Sequence, residues 1–214
     1  MLPVIRLLML LEMSRIFVYF KRCTYLFAVL IIMSIAGSCT IKNGSDIKDQ
    51  EIGQAIDSFN GVKVYYNGKI SNVSGRNLAA DNYNLGLKYQ CVEFVKRYYY
   101  EYLNHKMPDS YGHAKDFFDK SVADGEKNQQ RNLTQYTNPS YSKPKIDDLV
   151  IFSGTVYNKF GHVAIISKVS KDKIEIIQQN PGPYSHSRRI YMLKRQGEKW
   201  EINNDEILGW LRKE

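Results

Sequence analysis

The chain has 214 residues, 43% hydrophobic and 13% aromatic, which suits one good core, is short for two, and excludes disorder beyond local segments. Its net charge of +8 is spread along the sequence. With no phosphate-binding glycine loop, zinc-type cysteine spacing or internal repeat, nucleotide-binding, zinc-finger and solenoid classes fall away, and no nucleic-acid partner, metal or cofactor is expected.

Residues 13–39 read MSRIFVYFKRCTYLFAVLIIMSIAGSC. Arg15, Lys21 and Arg22 precede a mostly apolar stretch from Tyr25 to Ile35, and Ala36, Gly37 and Ser38 lead to Cys39. As a helix that stretch spans about 16 Å, too short for a ~30 Å hydrocarbon core. The pattern predicts a signal peptide over residues 1–38, and Met13 serves as well as Met1 for a start. The closing AGSC resembles a bacterial lipoprotein box, whose cysteine is lipidated; an ordinary secretory signal or a single anchor helix is the competing reading. Every version exports the protein. On the lipoprotein reading Cys39 anchors it in the cell-envelope membrane, periplasm-facing or at the outer membrane. Residues 39–58, polar and poor in aromatics, read as a flexible tether, and residues 59–214 as the folded domain.

Alternating Val62, Val64 and Tyr66 predict a strand closed by Asn67-Gly68. From Cys91, the residues Val92, Val95, Tyr99 and Tyr102, with Phe94 and Tyr98 alongside, recur at helical spacing. A second helix is expected over residues 112–125, ending at Gly125, and a long polar surface connection over 126–146. Then the period changes. Residues 147–154, 161–169, 173–180, 187–195 and 207–214 are short, β-branched runs separated by turn residues. Helices followed by an antiparallel meander make an α+β fold.

Three cysteines cannot form a disulfide framework. A lone cysteine is by default a small packing residue, but Cys91 stands at a helix start. There, exposed amide N–H groups favour a thiolate and can stabilise the oxyanion of a tetrahedral intermediate. Activation needs a base. Of the four histidines, His162 opens a buried strand directly after Gly161. A three-residue loop over 170–172 places His162 opposite Asn180, with Gln178 on the same face; a two-residue loop turns Gln179 there instead. Either way amides, not carboxylates, adjoin the histidine.

YQCVEFVKRYY, DDLVIFSG, FGHVAII and IIQQN, in that order, resemble the CHAP amidase/peptidase domain of the papain-like and NlpC/P60 group. The likeness is greatest to the amidase domain of glutathionylspermidine synthetase/amidase, extends to the terminal ILGW, and covers roughly residues 60–212. It implies a papain-like fold in which a helix bearing the nucleophile packs on an antiparallel sheet bearing the base. Carried over by position, it implies Cys91 as nucleophile, His162 as base, Gln178 as the group orienting the histidine, and Gln90 and Asn180 as oxyanion or supporting residues. The chain departs from the family at Gln178, where members typically have Glu. An amide oxygen can still accept the imidazole N–H, as in Cys-His-Asn enzymes, so the loss is about 1–3 kcal/mol of transition-state stabilisation. The implied activity is hydrolysis of amide bonds in peptidoglycan peptides by a monomer. The alternatives are a glutathionylspermidine-type small-molecule amidase and a catalytically impaired envelope-binding lipoprotein.

Overall fold

The β-branched runs of the carboxy-terminal half form strands, as their alternation predicts, in the computed structural model, which describes residues 50–182 and 185–214. The expected leader with its Met13 start, Cys39 and most of the tether lie outside the described residues. In chain order the elements are β1 (Ala55–Phe59), β2 (Val62–Tyr65), β3 (Arg76–Leu78), β4 (Asn84–Leu87), the helix α1 (Cys91–Glu101), a 3-10 turn (Ala114–Phe117), β5 (Lys127–Asn128), β6 (Leu133–Thr137), β7 (Leu149–Phe152), β8 (His162–Val169), β9 (Lys173–Ile177), β10 (Arg188–Gln196), β11 (Lys199–Ile202) and β12 (Ile207–Arg212). Among the described residues, one helix against a large antiparallel sheet gives the α+β class.

Strands β7 to β10 follow one another as the expected meander; an unanticipated β11 extends it, and β12, expected as its fifth strand, instead returns to the far side of β7, giving the order β11-β10-β9-β8-β7-β12-β6-β5. The ribbon then curls. Trp200 of β11 exchanges backbone hydrogen bonds with Ser140, just beyond β6. The Asn138 side chain completes the join, donating to the Ile202 carbonyl and accepting from the Ile202 N–H, each at 2.9 Å. Inside the curl lie Val150, Ala164, Ile166, Ile174, Ile176, Leu193, Ile202 and Trp210.

The other face of the sheet carries Leu149, Ile151, Val163, Ile165 and Ile177 against Phe94, Val95, Tyr98 and Tyr99 of α1. Each such burial is worth on the order of 2 kcal/mol. The helix is pinned beside β7: Tyr98 donates to the Asp147 carboxylate at 2.5 Å and Tyr99 to the Asp147 carbonyl at 2.9 Å. Periodicity alone does not anticipate that Glu93, Lys96 and Arg97 are buried as well. Glu93 and Arg97 pair one helical turn apart at 2.6 Å. Lys96 donates to the carbonyls of Asn84 and Ser110, and burial pushes its pKa down to about 7.

Three expectations are corrected. Pairing begins earlier than Val62, because β1, which starts within the stretch expected to be tether, forms a hairpin with β2. Residues 112–125 form only the short 3-10 turn. Here the backbone is satisfied from elsewhere: fully buried Gln135 accepts from the Asp119 N–H and donates to the carbonyls of Asp119 and Val122. Arg131 binds the carbonyls of Asp109, Tyr111 and Asp116. Finally, the polar 126–146 segment is not a surface connection throughout, since β6 pairs with β12 inside the sheet. Its inward residues are Leu133 and Gln135, and a glutamine facing inward conceals the strand pattern.

Candidate active site

Cys91 is the first residue of α1, after an extended Gln90 with φ −82 and ψ 162 that offers no side-chain cap. The first N–H groups of a helix have no partner within it. The N–H groups of Cys91 and Val92 and, from β8, that of Val163 lie near enough to the Cys91 thiol to favour its thiolate. Cys91 packs against the cluster that includes Val163 of β8, the residue after His162. Although Cys91 keeps some accessible surface, burial around the thiol raises its pKa, and the three N–H donors offset this only in part. The lowered thiol pKa expected of a helix start is therefore not found, because desolvation outweighs the helix end.

His162 is placed by Gly161, whose φ of +74 suits glycine and whose Cα faces the Phe152 carbonyl so closely that a Cβ would lie 2.5 Å from it. The imidazole Nε2 lies 3.0 Å from Gln178 Oε1. Gln178 is itself held: its backbone N–H donates to the Ser187 carbonyl at 2.8 Å, and its side-chain Nε2 to the His186 carbonyl at 3.0 Å. Burial pushes the His162 pKa down to about 4, with the Gln178 contact opposing that shift. Burial thus disfavours the charged form of both thiol and imidazole.

The strand register explains why Gln178 rather than Gln179 meets the histidine. The pairs Ile165↔Ile177 and Ile166↔Ile176, continued, set His162 across from Asn180, as a three-residue loop predicts. At the loop itself Val169 pairs with Ile174, one residue off, and a bulge between Ile166 and Lys168 restores the register. Gln178 therefore shares a face with His162, and Gln179 turns toward α1.

Gln90 and Asn180 also sit at the site, in a different role from free oxyanion donors. Gln90 Nε2 donates to the carbonyls of Ile70 and Asn72 at 3.1 and 2.7 Å. Its Oε1 accepts from Asn180 Nδ2 at 2.7 Å, and the same amide donates to Ile70 at 3.0 Å. Both side chains tie the 69–74 loop to the nucleophile's end of the helix. The donors left for an oxyanion are backbone N–H groups. Sequence reasoning misses Glu93 and weighs Gln179 only as a neighbour of the histidine, not as a partner of the helix start. Gln179 is fully buried, accepting from the Tyr65 N–H and donating to the Gln90 carbonyl and to Glu93 Oε2. The polar residue at each of three successive positions, QQN, was the available signal. Among the described residues no three His, Cys, Asp or Glu side chains gather to hold a metal ion.

Residues 81–180 match the CHAP domain, a domain whose activity is generally of the hydrolase or amidase type, and the match takes in Cys91, His162, Gln178 and Asn180. Trypanothione synthetase of Crithidia fasciculata is 30% identical over 161 residues, 70% of this chain and 24% of that protein. Glutathionylspermidine synthase of the same organism is 29% identical over 140 residues, 59% of this chain and 19% of that protein. The chain is a distant homologue of both and spans about a quarter or less of their length. Among solved structures, that of Ly7917 shares 22% identity with a TM-score of 0.30, covering 48% of this chain and 38% of that one.

Proposed function

We propose that the protein is a cysteine-dependent amidase or endopeptidase of papain-like CHAP type, with Cys91 as nucleophile, His162 as base and Gln178 orienting the imidazole. The observation that carries this reading is a histidine whose Nε2–H is taken by Gln178, at the start of the strand whose next residue, Val163, belongs to the cluster that Cys91 packs against. Such an arrangement leaves Nδ1 free to accept a proton. As the sulfur attacks an amide carbon, the thiol proton passes to Nδ1 and the carbonyl oxygen takes up negative charge opposite the helix-end N–H groups. Collapse breaks the C–N bond, and the amine leaves with the proton from the imidazolium. Water then attacks the thioester, gives a proton to His162 and releases the acid, the proton returning to sulfur. Because burial disfavours a lone charge on either group, charge develops as the proton passes from sulfur to imidazole, where the nearby N–H donors favour it.

The substrate we assign is a peptidoglycan peptide. An exported chain, lipid-anchored at Cys39 and acting as a monomer, would stand beside that polymer, and a tether suits a substrate that does not diffuse. A second reading, a small-amide hydrolase acting on a glutathione–polyamine conjugate, draws its support from the two named relatives. Incubating purified sacculi with the protein and with its Cys91→Ala variant, followed by mass spectrometry of the released peptides, separates them. New amine and carboxyl ends with the parent alone support the peptidoglycan reading. Intact sacculi together with hydrolysis of glutathionylspermidine transfer the assignment to the second, and inertness toward both overturns the amidase reading.

A further inference from the structure

The peptide linking Gln90 to Cys91 is trans, since the cis bonds are Lys88-Tyr89 and Asn138-Pro139. In a trans peptide the C=O and the N–H point in opposite directions. Its carbonyl accepts from Gln179 Nε2 at 3.0 Å and from the Phe94 N–H at 3.3 Å. Its N–H is the Cys91 N–H, the first of the helix and without a partner inside it. Whatever fixes the carbonyl end therefore fixes the aim of the N–H, and a hydrogen-bonded carbonyl also polarises its own N–H.

Gln179 is built for that task. Its Oε1 accepts from the Tyr65 N–H at 2.8 Å, so its Nε2 must be the end that meets the Gln90 carbonyl and, at 2.8 Å, Glu93 Oε2. Glu93 is held in turn by Arg97 and by Asn77. On the reading that Cys91 is the nucleophile, we propose that Gln179 is a positioning residue for the oxyanion: it locks the Gln90–Cys91 peptide so that the Cys91 N–H faces the developing negative oxygen. Adjacent glutamines then divide the work, Gln178 holding the base and Gln179 holding the oxyanion donor.

The test compares two reactions of the same sulfur in the full chain. Alkylation by iodoacetamide occurs at a saturated carbon and forms no oxyanion, whereas acylation by p-nitrophenyl acetate does. Gln179→Met should lower the acylation burst rate about 10- to 100-fold, short of or up to the loss of a whole oxyanion donor. Alkylation and its pH profile should change less than about threefold, a spread below the ~1 kcal/mol scale of one hydrogen bond. Asn77→Ala, which loosens Glu93 without touching the Gln90 carbonyl, should leave the ratio of the two rates unchanged. Should Gln179→Met fail to fold, Gln179→Asn, whose amide is too short to reach that carbonyl, gives the same ratio. Equal falls in both reactions, or an unchanged acylation rate, overturn the proposal. A parent that alkylates but never acylates overturns the catalytic reading and this inference with it.

Discussion

Gln178 Nε2 lies 3.0 Å from the carbonyl oxygen of His186, an atom that can only accept. The amide is thereby oriented, and Oε1 is the atom that faces His162. A carbonyl oxygen in turn accepts only from an N–H, so the imidazole carries its hydrogen on Nε2. Gln178→Glu replaces the donor with a second oxygen against the His186 carbonyl, and adds charge that favours imidazolium. The His162 pKa should rise from about 4, and the acid limb of the pH–rate profile should move upward with it. Gln178→Met leaves the ring N–H unpaired and should lower the rate roughly ten-fold or more, by about 1–3 kcal/mol. An unmoved acid limb in Gln178→Glu would remove Gln178 from the machinery.

Alkylation of Cys91 reports the resting protonation state. With the thiol raised by burial and the imidazole neutral, the rate of reaction with iodoacetamide should be low at neutral pH and climb only above the ordinary thiol range. A plateau extending down to acid pH would mean a preformed thiolate–imidazolium pair.

The same histidine makes folding pH-dependent. Its folded pKa is about 4 against 6.5, so between those values the unfolded chain binds the proton and the folded chain does not. Stability from this group is complete above about pH 6.5 and is lost as pH falls toward 4. In urea titrations, His162→Gln should flatten the stability profile across that window.

Gly161→Ala should damage both fold and site. A Cβ there would sit 2.5 Å from the Phe152 carbonyl and 2.9 Å from the Lys115 side chain, at a φ of +74. A cost of about 2 kcal/mol or more is expected, with a lowered melting temperature. Because His162 is the next residue, activity measured on the folded fraction should fall as well.

Far from the site, Arg212 closes the sheet's inner strands through two contacts to Asp148, at 2.8 and 2.7 Å, with both groups buried. Arg212→Leu leaves the carboxylate unpaired and should cost about 3–5 kcal/mol. Chemical denaturation measures this directly. Adding Asp148→Leu in the same chain should recover most of the loss.

Residues with one strong local signal were legible in the sequence. Cys91 at the start of an aromatic helix and Gly161-His162 at the start of a β-branched run follow from spacing, while the choice between Gln178 and Gln179 beside His162 stayed open until the strand register decided it. What escaped was set by distant partners. Gln135 reads as a loop residue, yet it takes over the backbone of residues 119–122 and prevents a helix there. Gln179 differs from Gln178 only by strand parity, and its value depends on Tyr65 and Glu93, which are remote in sequence. Thiol acidity was misjudged for the same reason, because desolvation depends on what packs around the sulfur and not on the helix that bears it.

The join between Trp200 and Ser140 bears on how the molecule behaves in a crowded solution. Strands at the rim of a sheet expose unpaired amides that invite pairing with a second chain and growth into fibrils. Here β11 has β10 on one side and the segment at residues 138–140 on the other. The long ribbon is left with β5 as its free rim, only two residues in length. Concentrating the protein at a surface, as a tether would do, should therefore give little strand-to-strand aggregation. Cutting the join with Asn138→Ala should make the protein form thioflavin-positive aggregates at concentrations where the parent stays in solution.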